Sequence, residues 1–143
     1  MNDPTSAPKW HVIAILIARL IFAGLFAMAA IFKFADTNGT AGYIAAVGFP
    51  FPLLLAWLAA FFEIALVLCL LTGAYFTEAA LLAAVYVLFL AFAFHGPAQW
   101  KPDDPTEFGF FVDHFTFIAG LLFAAVHGPG SVLALRKSIL GQR

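Results

Sequence analysis

Residues 51–71 read FPLLLAWLAAFFEIALVLCLL, with no glycine and a single charge, Glu63. A helix of that length, at about 1.5 Å per residue, is a rod of roughly 31 Å, the thickness of a bilayer's hydrocarbon core. A carboxylate on such a rod costs a few kcal/mol unless it is neutral or partnered. The stretch is therefore a membrane span, and the rest of the chain can be searched for what satisfies Glu63.

The composition agrees. Of the 143 residues, 64% are hydrophobic and only 10% are charged, and the mean hydropathy is +0.98. Soluble domains carry about 25% charged residues, so this chain is too apolar to keep a solvated surface. The class implied is an all-α, polytopic membrane protein: one domain, residues 1–143, folded as a four-transmembrane-helix bundle in contact with the lipid bilayer. The net charge of −1 argues against a nucleic-acid partner. Cys69 is the one cysteine, which excludes an intrachain disulfide and a CxxC redox pair, and its apolar surroundings suit a packing thiol.

The spans expected are about 10–33, 51–72, 75–95 and 108–127. The first carries one charge within its apolar core, Arg19. Ala27-Met28-Ala29 resembles a signal-peptide cleavage site, but Arg19 and the length of the span point to a retained helix. Residues 33–48 read as a connection with a turn at Asp36, Asn38 and Gly39, of which 43–47 could lie along the membrane surface. Residues 98–107, AQWKPDDPTE, form a polar loop. Glu78 falls at headgroup level. His127-Gly128-Pro129-Gly130 stops the fourth span, and 131–143 is a short basic tail, expected as a short interfacial helix. Four spans place both termini on one side with Lys9, Arg136, Lys137 and Arg143, against Lys33 and Lys101 on the other. The positive-inside rule then puts the termini in the cytoplasm.

Arg19 lies about 14 Å along its helix from Trp10, and Glu63 about 12 Å from Leu71, so an intramembrane Arg19–Glu63 ion pair is expected. Such a pair either fixes helix register or handles a ligand or proton. Arg19, Ala23, Phe26, Ala30 and Lys33 recur at helical spacing and should face the interior. The pairs Ala56/Ala60, Ala79/Ala83 and Ala80/Ala84 allow close helix approach. At the opposite end Lys33, His95, Asp113 and His114 fall within about two turns of the interface on three helices, and are expected to line one outer polar pocket.

These residues carry a resemblance. Arg19-Leu20 with Gly24 and Lys33, Gly48-Phe49-Pro50, Glu63 with Leu70-Leu71-Thr72-Gly73, His95, and Gly120-Leu121-Leu122 running to His127-Gly128-Pro129-Gly130 occur in the order found in the DoxX family. That family comprises small four-helix membrane proteins. Many relatives have Lys-Asn where this chain has Asp113-His114, which reverses a charge. The resemblance implies a bacterial inner-membrane protein associated with redox systems. It would be a subunit or accessory of a quinone-linked oxidoreductase complex, with other redox proteins as partners and a quinone as the implied cofactor.

Two further possibilities are a small proton-coupled carrier and a purely structural assembly subunit, and a homo-oligomer fits any of the three. His95, Asp113 and His114 are metal-ligand types, but no HxxxH, HxxEH or CxxCH spacing is present, so no metal is expected. There is no nucleophile–base motif or phosphate loop, and stand-alone catalysis is not expected.

Overall fold

The computed structural model describes residues 9–140. Five α-helices follow one another: α1 (Lys9–Ala35), α2 (Thr37–Ala46), α3 (Pro52–Thr72), α4 (Phe76–His95) and α5 (Thr106–His127), with a single 3-10 turn at Pro97–Gln99. All except α2 are long and apolar enough to cross a membrane. Their apolar residues run around most of the helix surface, as lipid on one side and packed helix on the other require. The bundle has a terminal end, where α1 begins, α5 stops and residues 128–140 lie. Its loop end carries α2 and the 97–105 connection.

The helices associate as two tight pairs, α1 with α3 and α4 with α5, joined by a lighter α3–α4 contact. Small residues make the close approaches: Ala56, Ala60, Ala79, Ala80, Ala83 and Ala84 are all buried. In lipid, where apolar burial gives little drive, backbones that can approach closely gain dispersion contacts. On α1 the buried residues are Arg19, Ala23, Phe26 and Ala30, the stripe expected from spacing. The α1–α5 seam is different. Phe22 packs there on Phe117 and lies against Gly120, where a Cβ would meet its ring at 2.8 Å, His11 meets His127 with ring centroids 4.8 Å apart, and the two backbones otherwise stay apart.

The connection at 33–48 is a helix rather than a turn. Asp36 accepts the backbone N–H of Gly39 at 2.8 Å, an N-cap that starts α2 and draws Asn38 and Gly39 into its first turn. Any side chain at position 39 would collide with the Asp36 carboxylate. Ala41 and Ile44 of α2 then pack with Ala56 and Phe94 in a small core at the loop end.

The tail also departs from expectation: 131–140 forms no helix. Its backbone groups are bonded elsewhere. Leu135 N donates to Thr72 O at 2.8 Å, Lys137 O accepts from Tyr75 N, and the N–H groups of Ile139 and Leu140 go to Glu78 Oε1. A helix would need those groups for itself. Residues 141–143 lie outside the described residues. The α3–α4 turn is shaped to receive the tail. Gly73 takes φ +72°, and a Cβ there would stand 2.9 Å from that of Ala134.

Candidate functional site

Arg19 and Glu63 are both buried, at 3% and 1% exposure, yet they do not pair. All five N–H bonds of Arg19 end on backbone carbonyls. Nε donates to Leu70 O (3.2 Å), Nη2 to Leu71 O (2.7 Å) and Leu133 O (3.0 Å), and Nη1 to Pro129 O (2.9 Å) and Val132 O (2.8 Å). Leu70 and Leu71 belong to the last turn of α3, whose carbonyls lack helical partners and carry the negative end of the helix dipole. The ring of Phe76 lies 5.9 Å from the guanidinium carbon. The expected Arg19–Glu63 pair is thus corrected: Arg19 has no donor left to give.

The partner of Glu63 is Lys33, whose Nζ stands 2.9 Å from Oε1. The hydroxyl of Tyr86 donates to the same oxygen at 2.8 Å. Two geometric facts explain the choice. The depth estimate took Trp10 and Leu71 as level, but α1 starts well beyond the end of α3, so Arg19 lies level with Leu70 and Leu71 instead of Glu63. In addition, helical side chains lean toward their own N-terminus. On the antiparallel pair α1 and α3, Arg19 therefore leans toward the terminal end and Glu63 away from it, while Lys33 leans down to meet Glu63.

The second carboxylate oxygen, Glu63 Oε2, is buried and accepts no hydrogen bond among the described residues. A buried acceptor left in this state costs about 1–3 kcal/mol. Tyr86 was not among the expected site residues. Its signal was a hydroxyl in the middle of an otherwise apolar span.

Lys33 and Tyr86 reach from this group into a cavity of about 710 Å³ in the loop-end half of the bundle. Its walls are apolar and rich in rings, among them Phe32, Tyr43, Phe62, Phe89 and Phe94, and it is partly open to the outside. His95 and His114 also line it. Their ring centroids are 5.0 Å apart. His95 Nδ1 is 2.6 Å from Glu107 Oε2, and His114 Nδ1 is 2.6 Å from the carbonyl of Phe110 in its own helix. Burial pushes the Tyr43 phenol above its ordinary pKa, and the charge of Glu107 adds to the effect.

Of the four residues expected to share the pocket, Asp113 does not line it. Successive helical residues point about 100° apart, so a helix that turns His114 toward α4 turns Asp113 away. Asp113 is exposed on the outer surface of α5 and has no hydrogen bond or ion pair among the described residues. Among those residues no three His, Cys, Asp or Glu side chains are grouped to hold a metal.

Four spans, two buried charges and a ring-lined cavity open to the bundle surface define a polytopic helical membrane protein with an interior cavity. The sequence matches the DoxX family over residues 14–96, more than half of the chain and the whole of α2, α3 and α4, so the chain belongs to the DoxX family. The matched range holds Arg19, Lys33, Glu63, Tyr86 and His95, and stops short of α5 with Asp113 and His114. No curated protein and no solved structure matches the chain.

Proposed function

We propose that this protein is a membrane subunit or accessory of a quinone-linked redox complex in the bacterial inner membrane, with both termini in the cytoplasm. The observation that carries this reading is the 710 Å³ cavity. Its size is that of a small-molecule site, and few polar groups interrupt its apolar wall, as in sites that orient a ligand by one or two hydrogen bonds. A quinone is a flat ring with two acceptor carbonyls and an apolar tail. Aromatic walls suit the ring, the Lys33 ammonium keeps N–H bonds beyond the one directed at Glu63 and can give one to a carbonyl, and the cavity's opening gives the tail a way out. The imidazoles of His95 and His114, which also line the cavity, are groups able to give or take a proton, as quinone reduction or oxidation requires.

Asp113 favours a subunit over a carrier that works alone. A carboxylate facing hydrocarbon is costly, and a partner helix that offers a donor removes the cost. Purification from the native membrane in gentle detergent should bring dehydrogenase or cytochrome subunits with the wild type and fewer with Asp113→Asn. Decylubiquinone should raise the thermal midpoint of the purified chain, and Ala59→Trp, which fills the cavity, should remove that shift. A chain that purifies alone, ignores decylubiquinone and moves solute in liposomes would overturn the proposal in favour of a carrier. Topology is read by an impermeant thiol reagent on intact cells with Cys69 replaced by serine: Asp104→Cys should react from outside and Ser138→Cys should not.

A further inference from the structure

The terminal end holds a second cavity, of about 470 Å³, between the start of α4, the end of α5 and the tail. Its two sides differ in chemistry. Leu81 and Val126 make an apolar wall that runs into the span, whereas His127, Arg136 and Lys137 line the side nearer the helix ends. No acidic side chain lines it. The nearby carboxylate, Glu78, directs Oε1 to Ser138 Oγ and to the N–H groups of Ile139 and Leu140. Among the described residues neither Arg136 nor Lys137 has a carboxylate partner.

The basic pair is also held in place. Leu135 is tied to Thr72 and Lys137 to Tyr75 through the backbone, and Arg136 Nε donates to Gly130 O at 3.2 Å. Between those anchors Arg136 takes φ +46°, a left-handed conformation uncommon outside glycine. A conformation of that kind persists only where its surroundings enforce it. Two cations on a fixed backbone above an apolar wall, at the level where spans end, make an amphiphilic site for an anion.

We propose that this cleft binds the phosphate headgroup of an anionic glycerophospholipid. Arg136 and Lys137 take the phosphate oxygens, and the first acyl carbons lie along Leu81 and Val126. Guanidinium and ammonium groups both pair with phosphate, and basic pockets between membrane helices recognise anionic headgroups. Free phosphate shares the ionic half of this chemistry but has nothing to place on the apolar wall.

The test is native mass spectrometry of the full chain in neutral detergent. It is offered phosphatidylglycerol and phosphatidylcholine in equal amounts, and inorganic phosphate in a separate arm. Wild-type protein should retain phosphatidylglycerol roughly tenfold over phosphatidylcholine, and phosphate at matched concentration should not displace it. Arg136→Gln with Lys137→Gln should erase the preference, while Lys101→Gln at the loop end should leave it. Equal retention of the two lipids by the wild type, or a preference that survives the double change, would overturn the proposal. Displacement by inorganic phosphate would overturn the lipid assignment in favour of a free-anion site. The wild-type comparison decides by itself if the double variant fails to fold.

Discussion

The two ends of this bundle treat a buried charge in opposite ways. At the terminal end, every N–H of Arg19 meets a backbone carbonyl. At the loop end, Lys33 and Tyr86 share one oxygen of Glu63 and leave the other bare, and those two partners line a large cavity. A saturated charge has nothing to offer a ligand, so Arg19 is architecture. An undersatisfied one whose partners line open space can exchange them, which is what a binding site needs. Charge and depth alone do not separate the two roles; the inventory of donors and acceptors does.

The sharpest way to break this contrast is at Arg19. Arg19→Ala should be the most damaging single change, about 3–5 kcal/mol, because five carbonyls lose their donor and each one left buried and unpaired costs about 1–3 kcal/mol, less where lipid headgroups or water reach it. Arg19→Lys should rescue little, because an ammonium has three donors for five carbonyls. Thermal unfolding in detergent reads both, and a lysine variant as stable as wild type would show that charge, not geometry, is what matters.

Next comes the loop-end group. A double-mutant cycle on Lys33→Met and Glu63→Gln should give a coupling of about 1–3 kcal/mol, while Arg19 and Glu63 should be additive within about 0.5 kcal/mol. Glu63→Gln should cost less than Glu63→Ala, since an amide oxygen still accepts from Tyr86 and Lys33. Coupling between Arg19 and Glu63 would undo the separation of the two ends.

Gly73→Ala should be milder, about 1–2 kcal/mol, from the left-handed φ and the approach of Ala134. It should loosen the tail without altering the cavity, so decylubiquinone binding should be unchanged.

The smallest effect is at Asp104 in the exposed loop. Hydrogen bonds from Thr106 hold its carboxyl below the usual carboxylate range. A depressed folded pKa stabilises above the unfolded value, near 4, and that stability is lost as pH falls through the folded value. Amide exchange at Thr106 should accelerate there, and Asp104→Ala should remove the pH dependence without altering the overall midpoint.

Much of the fold was legible because it follows from length and spacing. Span boundaries, the buried stripe of α1 and the alanine contacts come directly from helical periodicity and the thickness of a bilayer. Pairing was not legible, for two physical reasons. Depth arithmetic needs a common origin, and α1 and α3 do not share one. It also treats a side chain as a point at its Cα, whereas Arg19, Lys33 and Glu63 each reach several ångströms along the helix in a direction set by their own N-terminus. Applied to three charges on two antiparallel helices, that lean would have selected Lys33. The Asp113–His114 pair shows a simpler limit: adjacent residues match in depth but cannot share a helix face. The form of the tail was hidden because its hydrogen-bond partners, Arg19 and Glu78, are more than 50 residues away in sequence.

The Arg19 network has a consequence for how the protein is made. Arg19 leaves the ribosome well ahead of the carbonyl of Pro129 that it binds, which follows 110 residues later. At about 5–20 residues per second, its last acceptors arrive roughly 6–22 s after it does. Leu70 and Leu71 can satisfy two of its N–H groups earlier, but the three bound for Pro129, Val132 and Leu133 have only water or headgroups until those residues are made, so α1 reaches its final position only after residues 129–133 are synthesised. Ribosome-bound chains halted before and after residues 129–133 leave the exit tunnel should then differ in how readily alkali extracts α1 from the membrane. Equal extraction at both lengths would mean that α1 settles without its last acceptors.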